Sequence, residues 1–391
     1  MGEAKNSSFL SQTGPLTFLV GIFLINFLSR IVLSPLMPTI EKDLKIGHDE
    51  AGSLFLILSL GYCVMLFGSG FVSSRFNHRR TIILSSVAVG GTLLVISVSH
   101  HLWVIRFGIL ILGMTAGLYL PSGIATLTGL VNPKDWGKAI GIHELAPNLG
   151  FVIAPLLAEA LMGWFSWQGV LTVFGIASII AGLLFVLFGK GGDFFGEAPS
   201  SSNLQNIVVE PSFWIMIVLF SFGIGATFGV YSMLPLYLVS EKGMERTWAN
   251  TLLGLSRIST LVIVLLSGWI TDRLGVRRTL KAVFHANGLT TMILGMVSGS
   301  WIVILLFIQP MIATCFFPAG FAALTRVGSP RIKNVAVSFT ASLGFLLGGG
   351  AIPAGIGLIG ELGSFSLGFI FLGVLLFAGV ILVQFLKFAN E

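Results

Sequence analysis

The sequence predicts an all-α membrane protein of twelve transmembrane helices in two pseudo-symmetric six-helix bundles, and three observations predict it. The chain is 55% hydrophobic and only 10% charged, with a mean hydropathy of +0.96, whereas soluble domains carry about 25% charged residues. Its apolar runs are about 20 to 25 residues long, enough at about 1.5 Å per residue to cross roughly 30 Å of hydrocarbon. The chain also repeats itself at an offset close to 198 residues. The runs do not alternate in polarity, which argues against a transmembrane β-barrel.

The spans are expected near 16–39, 50–73, 80–99, 102–130, 138–162, 168–189, 212–239, 248–270, 279–298, 301–325, 334–359 and 364–387. One lysine precedes the first run and no small-residue cleavage site follows it, so the first span is expected to stay in the membrane rather than be removed. With the N-terminus inside, Lys5, Arg75, Arg79, Arg80, Lys134, Lys138, Lys190, Arg273, Arg277, Arg278, Lys281, Arg326, Arg331, Lys333 and Lys387 fall on the cytoplasmic side. Only Lys42, Lys45, Lys242 and Arg246 fall outside. That asymmetry predicts a multi-pass protein of the cell (inner) membrane with both termini cytoplasmic. It also accounts for the net charge of +6 without invoking nucleic acid, since no soluble domain carries a basic patch. Cys63 and Cys315 lie within spans and lack metal-ligand spacing, so they are expected as small packing residues.

The repeat is carried by three pairs of segments. GFVSSRFNHRRT at Gly70–Thr81 realigns with GWITDRLGVRRT at Gly268–Thr279, and GLYLPSGIATLT, ending at Thr128, with TCFFPAGFAALT, ending at Thr325. NLGFVIAP, ending at Pro155, is similar to SLGFLLGGGAIP, ending at Pro353. Two six-helix halves follow, 1–189 and 211–391, joined by a polar stretch at 190–210 that reads as a flexible cytoplasmic linker.

GWITDRLGVRR resembles the G-x-x-x-D-R-x-G-x-R-R loop signature of the major facilitator superfamily, and the resemblance extends through the spans and the repeat. It implies the major facilitator fold and a conformational latch at Asp272, Arg273 and Arg75, held by charge contacts that break and reform. In the first half Ser74 stands in place of the acid and Asn77 in place of the second glycine, which predicts a weaker or differently built latch there. HELAPNLGFVIAP in span five resembles the Gly/Pro-rich fifth-helix motif of the superfamily, with Ala154 where a glycine is usual. NFLSRIVLSPLMPTIEKDL in span one is similar to the N-Y-x-D-R-x-x-L-S opening of its organic anion transporters. Asn26 and Arg30 match that opening, while Ser29 replaces its acid and Ala116 stands where a fourth-span acid is expected. The resemblance thus implies an anion-binding group at Arg30 and the loss of two usual proton-coupling acids.

Arg30 and Arg257 are the ionised groups within apolar spans one and eight, one per half, each within about 5 Å of its span midpoint. A buried guanidinium is costly unless it serves a site, and its planar fork suits carboxylate or phosphate. Glu144, beside His143 near the inner end of span five, is the candidate proton carrier in place of the lost acids. Tyr119, Tyr231, Phe228, Phe316 and Gln309 are on spans that line the cavity of the resembled fold and are candidate substrate contacts, along with Asn26. Arg106, His285, Glu159 and Glu361 are expected near span ends, in structural roles. No phosphate-binding loop, hydrolase arrangement or metal-binding H-E-x-x-H occurs, so neither an enzyme nor a cofactor is predicted. The expected function is secondary active transport of a small organic anion, a mono- or dicarboxylate, by a monomer in membrane lipid using protons or a counter-anion. The alternatives are an exporter of amphipathic drugs or lysolipids, an anion exchanger without proton coupling, and a receptor without flux.

Overall fold

The computed structural model describes residues 12–198, 210–326 and 333–388, with the side chains of 265 and 333–336 excepted. Lys5, Arg331 and linker residues 199–209 lie outside the described residues. The described residues are helical throughout, with short connections and no strand. Among the described residues nine segments are long and apolar enough to cross a membrane, or ten if the bent pair Arg246–Val264 and Leu266–Leu274 counts as one span. The longest, His48–Ser97, reverses at Asn77 and so supplies expected spans two and three. Val276–Met296 carries four basic residues and supplies span nine.

Local chemistry sets where these helices start and slacken. Span seven begins with Pro211 in its first turn, where a missing N–H costs nothing. Ser166 and Ser364 cap the starts of spans six and twelve by accepting from Gly169 N and Leu367 N. Glu245 caps span eight through Thr247 N and Trp248 N at 2.9 and 3.0 Å, and these donors hold its carboxyl below the ordinary range. Four of the interrupted spans break three residues before a proline, at Val32, Leu118, Glu144 and Cys315 ahead of Pro35, Pro121, Pro147 and Pro318. Proline donates no bond to the carbonyl four residues back, so the helix loosens there. Leu118 and Cys315 are repeat-equivalent, so the halves bend alike.

The chain divides into two compact units, the first running to Leu33 and resuming at Leu60 through span six, the second taking Ser34–Ser59 with span seven onward. The outer end of span one and the start of span two, assigned by sequence to the first half, are thus packed with the second. Ser34 Oγ donates to Tyr231 O at 2.8 Å, and Asn250 Nδ2 to Pro35 O at 3.0 Å.

The repeat is visible in packing as well as in sequence. In the first unit Gly90 packs on the backbone of Gly175, an added Cβ falling 2.4 Å from Gly175 O. In the second, Gly288 and Gly373 do the same, a Cβ on Gly373 falling 2.8 Å from Gly288 O. These pairs sit one repeat apart and bring spans three and six, and nine and twelve, into backbone contact.

The turn after spans two and eight also repeats: Asn77 has φ 60° and Gly275 φ 82°. Asn77 tolerates this backbone because its Oδ1 accepts from Arg80 N at 2.9 Å. Gly275→Ala meets no atom within 4 Å, so its cost is backbone strain alone, about 1 to 2 kcal/mol. Asn77→Gly is expected to leave thermal stability within a degree or two of wild type, whereas Asn77→Ala and Gly275→Ala lower it alike. An unchanged midpoint in both alanine variants would remove the strain argument.

Candidate functional site

In the first unit the Arg30 guanidinium lies 4.1 Å from the centre of the Tyr62 ring and 5.4 Å from that of Phe27. Span one delivers Arg30 from its last regular turn before the slackening at Val32. No carboxylate forms an ion pair with it among the described residues, and its Nε has no acceptor. A guanidinium laid on an aromatic face is held by the ring quadrupole, and Arg30 also hydrogen-bonds the Tyr62 side chain, while its planar fork suits a planar anion. Glu144 is near enough that its charge acts on both Tyr62 and Tyr119. Its side chain is half exposed, at 50%, because it sits at the interruption of span five. The sequence suggested a poorly hydrated carboxylate; half of this side chain is exposed.

His143 is fully buried and its ring stacks on Phe23 at 4.4 Å. Tyr119 gives its only proton to Leu19 O at 2.7 Å. His143 Nε2, 3.2 Å from the same phenolic oxygen, is therefore the donor in that contact and carries a proton. Its Nδ1 faces Glu144 Oε1 at 3.6 Å. The phenol of Tyr119 is thus occupied in the core. Asn26 is also engaged, donating to Ser85 Oγ and Ala116 O at 3.3 and 3.4 Å.

In the second unit Arg257 sits at the interruption within span eight and is only 2% exposed. Its guanidinium lies 5.1 Å from the Tyr231 ring and donates to Thr227 O at 3.5 Å. Thr227 belongs to a π-helical turn, Gly225–Gly229, whose wider spacing loosens carbonyls from the helix. The neighbouring carbonyl, Ala226 O, accepts from Gln309 Nε2 at 2.9 Å. Gln309 also contacts Asn287 Oδ1 at 3.2 Å and Thr291 Oγ1 at 3.4 Å, forming a buried amide cluster. Phe228 meets Phe345 edge-on, and Phe316 meets Phe220 edge-on and Phe284 at a tilt, so both serve packing.

Each unit therefore holds one arginine over one tyrosine, with the residue types exchanged between helices: Arg30 on span one over Tyr62 on span two, Arg257 on span eight over Tyr231 on span seven. Sequence reasoning missed Tyr62 and Asn287. The only signal for Tyr62 was rarity, the chain having four tyrosines. Of the expected latch residues, Asp272, Arg273 and Arg75 are exposed, and none makes an ion pair among the described residues. The second arginines of the two turns, Arg79 and Arg277, are the engaged ones, bonding Val186 O at 3.1 Å and Leu386 O at 2.7 Å. Both cysteines are free, and no group of metal-ligating side chains occurs among the described residues.

Comparison with known proteins gives a consistent picture. The family model described as Major Facilitator Superfamily matches residues 19–285. The chain is similar to "Multidrug resistance protein 2" of Bacillus subtilis (strain 168), 22% identical over 80% of this chain and 78% of that one. It is also similar to the "Cis,cis-muconate transport protein" of Acinetobacter baylyi, 24% identical over 98% of this chain and 97% of that one. Among solved structures, the bacterial homologue of the human lysosomal transporter Spinster superposes with a TM-score of 0.78 at 16% identity, covering 97% of this chain and 96% of that one.

Proposed function

The chain belongs to the major facilitator superfamily, and from that premise we propose that it is a proton-coupled secondary transporter of a small organic anion, a mono- or dicarboxylate, working by alternating access. The observation that carries this reading is Arg30, an arginine of an apolar span that rests on Tyr62 with no carboxylate paired to it among the described residues. A charge left unneutralised in a membrane span is expensive, and an anionic substrate neutralises it. Arg257 over Tyr231 is the second candidate contact. Relatives such as the muconate transport protein support an anion as cargo.

Proton coupling rests on His143 and Glu144. His143 Nε2 contacts the Tyr119 hydroxyl and its Nδ1 faces the Glu144 carboxylate at 3.6 Å, so the two groups are placed to share a proton during transport. The basic residues support an orientation with both termini cytoplasmic.

The test is thermal stabilisation of the purified protein by a panel of carboxylates, phosphate esters, amphipathic drugs and lysolipids, at about pH 5.5 and about pH 7.5, with Arg30→Gln alongside. Ligand at a hundredfold excess over its Kd adds about 2.7 kcal/mol. We expect a shift from one carboxylate class that disappears in the variant. Stabilisation by amphipaths alone, equal in both proteins, would instead favour an exporter; the B. subtilis relative is named a multidrug resistance protein.

A further inference from the structure

We propose that residues 190–196, which leave span six, form a strap that clamps the turn between spans two and three, and that Asp193 supplies the carboxylate missing from that turn at Ser74. The sequence marks 190–210 as flexible, yet its first residues are bound along the turn. Arg79 N donates to Gly192 O at 2.8 Å, His78 N to Phe194 O at 3.1 Å, and Gly196 N to Ser73 O at 3.0 Å. His78 and Arg79 open span three after the reversal at Asn77, where helical N–H groups have no partner in their own helix. The strap carbonyls fill that need.

Shape and charge fit as well. Gly191 and Gly192 take φ of 81° and 78°, a backbone that disfavours other residues. A Cβ on Gly192 would fall 2.7 Å from Thr126 Oγ1 and 2.8 Å from Arg79 N. The Phe194 ring meets the His78 ring edge-on at 4.8 Å. Asp193 Oδ2 lies 3.6 Å from Arg79 Nη1, whereas the Ser74 hydroxyl turns back to Phe71 O at 2.9 Å and offers no charge.

The second unit makes the same use of the chain leaving its last helix. Arg277, the repeat equivalent of Arg79, donates to Leu386 O at 2.7 Å and lies 5.4 Å from the Phe388 ring. Lys387 is pinned there by Ser212 Oγ, which accepts from its N–H at 3.2 Å. That turn retains its own acid, Asp272; the first has lost it and draws one from the strap.

Asp193 and Arg79 are 67% and 25% exposed, so the ion pair adds little and the backbone bonds carry most of the hold. The strap ties the ends of spans two, three, four and six of the first unit together. The test is hydrogen–deuterium exchange on the full-length protein in detergent. Gly192→Val should raise amide exchange in peptides spanning 73–80 and 192–196 by about tenfold or more, because its side chain cannot enter. Asp193→Asn should raise it about two- to fivefold, and Asp193→Glu should stay near wild type. Peptides covering 276–296 report that the second unit remains folded. Wild-type exchange in Gly192→Val would overturn the strap, and wild-type exchange in Asp193→Asn would overturn the assignment of its carboxylate.

Discussion

Replacing Arg30 by glutamine is expected to abolish saturable carboxylate uptake while leaving the protein folded. Removing one partner of a buried, hydrogen-bonded charge pair costs about 2 to 5 kcal/mol, a loss of roughly 30- to several-thousand-fold in affinity. Breaking such a pair usually destabilises a fold by orphaning the other charge. Here no protein carboxylate pairs with Arg30 among the described residues, so the change orphans no protein charge. The melting temperature of the unliganded variant should equal or exceed that of wild type. Two further variants order the causes. Arg30→Lys keeps the charge but not the planar fork, and should transport weakly. Tyr62→Leu removes the ring beneath the guanidinium, 4.1 Å away, and should weaken uptake about 2- to 30-fold, the span of 0.5 to 2 kcal/mol for a cation–π contact. Normal uptake by Arg30→Gln would end the anion-site reading. A collapse in its stability would move Arg30 to a structural role.

The features legible in the sequence are those that depend on solvent alone. Apolar run length gives the helices because a bilayer admits few alternatives, and Arg30 and Arg257 stand out because a charge there is expensive. The repeat was legible through the turn at Asn77 and Gly275 and the prolines at 121 and 318, which reappear in the structure as matching backbone reversals and matching interruptions. Features that depend on which surfaces meet were not legible. Gly90 and Gly175 look like any others among 49 glycines, and only their contact shows that they let two backbones touch. Tyr62 gains meaning from Arg30, 32 positions earlier in the chain, a relation that helix periodicity in one span does not encode. The bonding of 192–196 to the turn was not legible because Gly-Gly-Asp-Phe-Phe-Gly lies in a stretch of linker composition. Its glycines are required by a close approach, not by freedom of motion.

Glu144→Gln is expected to abolish accumulation of substrate driven by a pH gradient while sparing exchange of labelled for unlabelled substrate. Glutamine matches the carboxylate in size, and the side chain is half exposed, so packing is barely disturbed. The change removes the carboxylate that faces His143 Nδ1 at 3.6 Å, the proposed proton carrier, and puts an amide in its place. Net transport requires the empty carrier to return with its proton account changed, whereas exchange returns the carrier loaded and needs no such step. Loss of the first with retention of the second therefore isolates coupling from binding. His143 is the poorer probe, because it is buried between Phe23 and the Tyr119 hydroxyl and its replacement disturbs the core. Accumulation in reconstituted vesicles should fall to the equilibrium level in Glu144→Gln, with counterflow within about threefold of wild type, a change of under 1 kcal/mol. Full gradient-driven accumulation by this variant would show that the proton, if one moves, travels elsewhere. Loss of both activities together would make Glu144 part of the binding site for the anion rather than its coupling group, and equal loss of stability would make it a structural cap for the second segment of span five.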